Sequence, residues 1–359
     1  MFSQGDSKLA SNGERRVTMK DVGIEAGVGQ TTVSFVLNGR SDMGINEETT
    51  NRVIRAAQKL GYKPRPVGRP PKSDGLSAIG IMVDELASDL WAAITVEGAQ
   101  ERAWEQNILL NVAMTGSDKE YEAAVLKRWS ADRVLGVIYT SIVTRAVTLP
   151  TGLFAHNAVL ANCYDEENRF PSIIPAERQG GQAATQVLID AGKRRIAFIT
   201  GETWTEASRQ RQQGYERALH KSGLKVDPNL IVEGNFHSLR GRSATIELMS
   251  RPKPPDGIFC ANDLTAIGCY EALKEMGLQV GNDVAVMGYD DSEIAQQLDP
   301  PLSTVQLPHR EMGQWAIDAI LSKAILPRVQ KKIECPVVLR ESHRTHTQSK
   351  IRAAGRLRK

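Results

Sequence analysis

The chain has 359 residues, 24% of them charged, 41% hydrophobic and 5% aromatic, with a formal net charge of +3. It is too long for one ordinary domain and too apolar for a disordered chain, so two or three folded units of about 150 residues each are expected. A pI near 8.6 excludes a wholly acidic solvating protein and leaves nucleic acid to be decided by where the charges fall. No run of 18 apolar residues is present, and residues 1–16 lack an apolar core, so neither a membrane span nor a secretory signal is read and the cytoplasm is the expected compartment.

Residues 1–16 read as a disordered arm and residues 17–63 as a compact helical unit. Thr18 is a candidate N-cap with Asp21 three residues on, and Val22 and Ala26 share one helix face. Gly27 stops this helix, Val28 packs inward, Gly29 starts a turn, and a second helix runs from Gln30 to Asn38. Two short helices joined by a tight turn make a helix-turn-helix, whose second helix enters a DNA major groove. A third helix is capped by Asn46, carries Glu47 and Glu48 in its first turn and stops at Gly61. Between positions 52 and 72 lie Arg52, Arg55, Lys59, Lys63, Arg65, Arg69 and Lys72, with no Asp or Glu. Unbalanced positive charge beside a helix-turn-helix favours a phosphate track over a solvated face.

Residues 64–77 are dense in Pro, Gly and base, the signature of a linker. Beyond them, apolar runs at 79–83, 108–110, 136–139, 159–161, 196–199, 257–260 and 284–287 alternate with amphipathic stretches such as 179–191, 210–221 and 264–276. That alternation predicts an α/β region of parallel sheets covered on both faces. Its length suits two doubly wound subdomains, with ligands at the carboxyl ends of the strands. Cys163, Cys260, Cys269 and Cys335 form no C-x-x-C pair and read as buried thiols of a reducing compartment. His343 and His346 are read as part of a solvated basic tail, not a metal site. No metal or cofactor is expected.

The segments 17–22, 26–28, 32–34, 36–39 and 60–64 resemble the start of the lactose-repressor (LacI/GalR) family of transcriptional regulators. So do 255–263, 286–291, 301–305 and 339–342 farther along, and the resemblance spans roughly 17–342. It implies a helix-turn-helix domain followed by a periplasmic-binding-protein-like effector domain. The expected subdomains are 78–175 with 306–326, and 176–305 with 327–342, leaving 343–359 as a basic disordered tail. It also implies a dimeric, effector-controlled repressor on a pseudo-palindromic double-stranded DNA operator. The tail lacks a leucine heptad, so a tetramer through a C-terminal coiled coil is not expected.

The expected DNA-facing residues are Thr18, Gln30, Thr31, Thr32, Ser34 and Phe35 in the first two helices. Asn38, Tyr62, Arg65 and Arg69 complete the set. Phe35 stands where family members often carry Arg; it cannot fork to guanine, and either touches a thymine methyl or packs. The linker departs more sharply. Pro66, Gly68, Pro70 and Pro71 oppose the family's hinge helix, at about 3 kcal/mol per interior Pro and about 1 per Gly. Pro71 takes the place of the leucine wedge. Gly68-Arg69-Pro70 resembles an AT-hook core that lays Arg69 into an A/T minor groove, against the alternative of an unstructured basic tether. Without a hinge helix to melt, weaker coupling between effector and DNA is expected.

The resemblance places a small-molecule effector between the subdomains. Arg211, in Arg211-Gln212-Gln213-Gly214-Tyr215, matches the family's effector-binding arginine, and a guanidinium forks well to hydroxyls or a carboxylate. Asp84, Asn162 and Asp290 end apolar runs; Asn262 precedes a helix and could instead cap it. Trp91 and Phe236 supply flat faces. This set suits a neutral polyhydroxylated ligand, a sugar first and a purine or nucleoside second. A sugar- or nucleoside-binding module without a DNA role is the competing class. Enzymes are disfavoured, since no G-x-S-x-G, P-loop, H-E-x-x-H or C-x-x-C is present.

Overall fold

A computed structural model of the chain describes residues 17–37, 45–62, 76–84, 90–322 and 328–344. The expected arm, nearly all of the linker, and Asn38, Arg65, Arg69 and His346 lie outside the described residues, as does the side chain of Trp91.

The N-terminal unit is built from α1 (Met19–Ala26), α2 (Gln30–Leu37) and α3 (Glu47–Lys59). At the start of α1, Thr18 Oγ1 accepts from the Asp21 amide at 3.3 Å while Asp21 Oδ2 accepts from the Thr18 amide at 2.8 Å. This reciprocal box satisfies donors that a helix start leaves open. Gly27 ends α1 at φ 67°, a left-handed conformation that costs glycine least. Asn46 Oδ1 accepts from the Thr49 amide at 2.8 Å and caps α3. Val22, Val33 and Val53 are fully buried at the centre of this head. So small a core gains from outside cover. Phe154, from the 3-10 turn Thr151–Ala155, packs against it, and Arg328 Nη1 donates to the Gln58 carbonyl at 2.8 Å. The head therefore rests on the region that follows.

That region begins with β1 (Ser77–Val83), α4 (Leu90–Glu105), β2 (Ile108–Met114), α5 (Lys119–Asp132), β3 (Val137–Ala146), β4 (Ala158–Tyr164) and β5 (Ser172–Pro175). The chain then crosses into α6 (Glu177–Asp190), β6 (Ile196–Thr200), α7 (Glu206–Lys221), β7 (Ile231–Glu233), α8 (Ser238–Met249), β8 (Gly257–Cys260), α9 (Asp263–Glu275), β9 (Ala285–Met287) and α10 (Glu293–Gln297). Last come β10 (Thr304–Val305), α11 (His309–Leu321), β11 (Gln330–Ile333) and β12 (Val337–Val338). The first subdomain holds a six-stranded parallel sheet of order β11-β5-β4-β3-β1-β2; the second holds a four-stranded parallel sheet, β7-β6-β8-β9. β10 pairs antiparallel with β12.

Strand periodicity explains the layers. In β1, Ile79, Ile81 and Val83 face one core, shared with α4 and α11, while Met82 faces the other, beside α5. Gly80 sits on the α5 face, where a Cβ would lie 2.5 Å from the Trp129 ring. The second sheet is covered likewise on both faces.

Two expected boundaries move. β11 pairs with β5, so the chain belongs to the first subdomain until Ile333 and crosses back before Val337, not at 327. His343, expected in a solvated tail, is buried, with Nδ1 2.7 Å from Ser303 Oγ. All four cysteines are buried and unpaired. Among the described residues no helix is long and apolar enough to cross a membrane.

Candidate functional site: an effector cleft and a DNA-reading head

The two sheets point their carboxyl ends at a shared cleft of about 510 Å3. Its wall takes Ile142, Thr144 and Asn162 from the first subdomain, and Glu177, Arg211, Phe236, Asn262 and Asp290 from the second. α11 adds His309. Tyr164, at the end of β4, donates from Oη to Glu206 Oε2 at 2.8 Å and so ties the two subdomains together.

Arg211 organises the cleft. It is 3% exposed. Its Nε donates to Glu177 Oε2 at 2.8 Å and its Nη2 to Glu177 Oε1 at 3.0 Å. Nη1 donates to the Ala261 carbonyl and lies 3.6 Å from Asp290 Oδ1. The guanidinium stacks 3.7 Å from the centroid of Tyr289. Burial alone would push its pKa down; the paired Glu177 carboxylate outweighs this and raises it. The pair can form because α6 and α7 approach closely. A Cβ on Gly181 would meet the Arg211 carbonyl at 2.5 Å, and one on Gly214 the Arg178 carbonyl at 2.3 Å. Gly181→Ala should therefore wedge the helices apart and cost about 1–3 kcal/mol, read as a lower urea midpoint at unchanged m.

Several cleft residues adopt left-handed backbone. Asn162 (φ 54°), Phe236 (φ 59°) and Asp290 (φ 113°) all lie in that region. Such conformations cost of order 1–3 kcal/mol and collect where a site fixes them. Asn162 is also locked by its side chain. Nδ2 donates to the Ser141 and Ile142 carbonyls, and Oδ1 accepts from Thr144 Oγ1 at 2.6 Å. Asn262 does cap α9, accepting from the Thr265 amide at 2.9 Å, and it donates to the Phe236 carbonyl at 3.1 Å. It lines the cleft as well.

Asp84 stands one layer back from where the sequence reading put it. Its carboxylate accepts from Ser141 Oγ at 2.8 Å and the Ile142 amide at 2.9 Å, and pairs with Arg145 Nη2 at 3.1 Å. These bonds hold the irregularity in β3 between Thr140 and Arg145, which turns Ile142 and Thr144 into the cleft. Asp84 thus shapes the wall and is not among the residues lining it.

Sequence reasoning missed Glu177, Thr205, Asp263 and His309. Thr205 caps α7, accepting from the Ser208 amide at 3.3 Å. Asp263 accepts from the Ser292 amide and Oγ and from Thr304 Oγ1. Burial nevertheless pushes its pKa up to about 6. His309 is buried, and burial first, then the Arg211 charge, drives its pKa down to about 3. Thr205 left the signal of a helix N-cap ahead of a Glu, and Asp263 closes the segment 255–263 that carries the resemblance; Glu177 and His309 left none. Among the described residues no group of His, Cys, Asp and Glu is placed to hold a metal ion.

In the head, Gln30 and Thr31 stand exposed at the start of α2, and Thr32, Ser34 and Phe35 are half-buried farther along it. Thr18 is exposed at the cap of α1 and Tyr62 half-buried after α3. A helix N-terminus with exposed polar side chains can reach base edges and phosphates.

Residues 18–65 match the model for bacterial regulatory proteins of the lacI family, and residues 185–343 that for a periplasmic binding protein-like domain. A ribose operon repressor of Haemophilus influenzae is 31% identical over 335 residues, 90% of this chain and 98% of its own length. The chain belongs to the lacI family. A solved complex of the regulator CelR with cellobiose is 32% identical at a TM-score of 0.62, covering 91% of this chain and all of its own. A lac repressor dimer bound to operator and an anti-inducer is 25% identical at 0.64, covering 92% and 100%. This lacI-family chain is a DNA-binding transcriptional repressor with an effector domain.

Proposed function

We propose that this lacI-family chain acts as a cytoplasmic homodimer on a pseudo-palindromic operator and that a neutral sugar in the cleft sets its operator affinity. The observation that carries the sugar is the lining itself: Thr144, Asn162, Asn262 and Asp290 around Arg211, with Phe236 as an apolar face. Such groups exchange hydrogen bonds with hydroxyls. The ribose operon repressor and the CelR–cellobiose complex, both similar to this chain, favour a sugar over a purine in this cleft.

Dimerisation through the effector domain suits its exposed apolar residues. β2 is an edge strand with Leu109, Val112 and Met114 exposed, and Trp104 stands beside it on α4. Leu239 is exposed on the second subdomain. Such surfaces are unusual on monomers. A ligand that favours one degree of closure shifts the equilibrium by its differential affinity. Phe154 and Arg328 give the effector domain direct contact with the head, a route that does not need an ordered linker.

The first test selects bound sites from random duplex DNA at about 0.15 M salt. A pseudo-palindrome is expected. Gln30→Ala should relax one position per half-site, by about 1–3 kcal/mol if Gln30 forks to adenine. An A/T-rich centre lost on Arg69→Ala supports the AT-hook reading of the linker; a C-G centre overturns it. Neutral sugars, D-ribose and cellobiose first, are then titrated against the operator complex. Absence of any palindrome sinks the dimeric reading, and a response to purines alone sinks the sugar.

A further inference from the structure

An arginine in a ligand cleft ordinarily invites an anion, because the Nε–Nη2 edge matches two carboxylate or phosphate oxygens. Here that edge is occupied. Nε and Nη2 of Arg211 each donate to one oxygen of Glu177, at 2.8 and 3.0 Å, and both side chains are buried. Asp290 stands 3.6 Å from Nη1 and brings a second carboxylate to one guanidinium. Among the described lining residues, Glu177, Glu202, Asp263 and Asp290 are acidic and Arg211 is the sole Lys or Arg. What Arg211 can still offer is one N–H on Nη2 and one on Nη1, the latter with the Asp290 carboxylate already 3.6 Å away. Those suit hydroxyl or carbonyl oxygens.

We propose that Glu177 is a specificity-determining residue: by occupying the forked edge of Arg211 it makes the cleft refuse phosphorylated and carboxylated effectors and accept neutral, hydroxyl-rich ones. This rests on reading the cleft as the effector site and narrows the ligand class within it. Glu177 is held at the first turn of α6, and the glycine contact between α6 and α7 fixes its distance from Arg211. An entering phosphate meets a fork already filled and a net negative wall, in surroundings too buried for water to screen the repulsion. Removing the Glu177 charge leaves Asp290, 3.6 Å from Nη1, as the remaining carboxylate on Arg211, and an external anion then meets a fork no longer held by a carboxylate and a charge to neutralise.

The test uses the full chain and inorganic phosphate as probe, at ionic strength held constant with chloride. Thermal unfolding is followed across the millimolar range for wild type, Glu177→Gln, Glu177→Ala and the double variant Glu177→Gln/Arg211→Met. Wild type should show no saturable stabilisation by phosphate. Both single variants should gain one, at least about tenfold tighter than any wild-type response, and the double variant should lose it. A merely structural Glu177 would lower the melting temperature of its variants without making them respond to phosphate. Two results overturn the proposal. One is saturable phosphate binding by wild type that the double variant lacks. The other is folded Glu177 variants that gain none. If Glu177→Ala fails to fold, Glu177→Gln keeps the shape and a hydrogen bond while losing the charge. Failure of neutral sugars to move the operator complex would instead strike the effector reading, leaving the phosphate result to stand alone.

Discussion

Replacing Arg211 by alanine should cost about 3–5 kcal/mol of stability and leave a repressor that binds its operator but no longer answers a sugar. The stability loss follows from what the guanidinium satisfies. Glu177 keeps a carboxylate that is 4% exposed, Asp290 loses its nearest cation, and the Ala261 carbonyl loses a donor. Removing one partner of a buried pair leaves the other charge uncompensated, so the cost exceeds the worth of the pair itself. Arg211→Lys should recover little, since one ammonium cannot serve both Glu177 oxygens and Ala261 in this geometry. The double change Arg211→Met/Glu177→Leu should recover the part of the loss that comes from Glu177, because apolar side chains of similar size need no partners there, while Asp290 and the Ala261 carbonyl still lack Arg211. It should not recover the sugar response. Urea unfolding and operator titration of the four proteins separate the two roles. A double variant that regains the response would show that Arg211 holds the cleft together without touching ligand. Operator binding should survive throughout, because α1, α2 and α3 form their own core around Val22, Val33 and Val53.

Much of this arrangement was legible in the sequence, because local rules write it there. Caps at Thr18 and Asn46, the stop at Gly27 and the strands at 79–83 and 257–260 depend on neighbours a few residues away. Arg211, Asn162, Phe236, Asn262 and Asp290 do meet in one cleft, as the resemblance implied. What was not legible depends on partners far apart in the chain. Glu177 lies 34 residues from Arg211, and nothing in its own surroundings marks it as the occupant of a guanidinium fork. Asp84 ends a strand as expected, yet a backbone irregularity 58 residues away draws its carboxylate out of the wall. The left-handed turn at Phe236 is invisible in a residue type that rarely adopts it. Strand β11 has two lysines and no continuous apolar run, so its place at the edge of the first sheet leaves no periodic trace. The contacts of Phe154 and Arg328 with the head are likewise tertiary.

Acid should loosen this repressor through His309, which is expected to remove about 2 kcal/mol of stability between pH 7.5 and pH 5. The ring is 3% exposed at the first position of α11, with Nδ1 3.3 Å from Thr95 Oγ1. Burial and then the Arg211 charge hold its pKa near 3, and a helix N-terminus disfavours a cation further. In the unfolded chain it titrates near 6.5. The folded value is depressed, so the stabilisation is complete above pH 6.5 and is lost as pH falls toward 3. Each pH unit in that window removes about 1.4 kcal/mol, which gives the figure at pH 5. Asp263 acts in the opposite sense. Its pKa is raised to about 6, so the stability it contributes is present below about pH 4 and lost as pH rises through 6. Urea unfolding of wild type and His309→Gln at the two pH values cancels Asp263 and every other shared group. The wild type should lose about 2 kcal/mol more than the variant. Equal losses would mean that His309 gains its proton in the folded state, with water admitted to the wall it shares with Arg211. The cleft would then be open enough that the net negative lining, rather than the filled fork of Arg211 alone, decides which ligands enter.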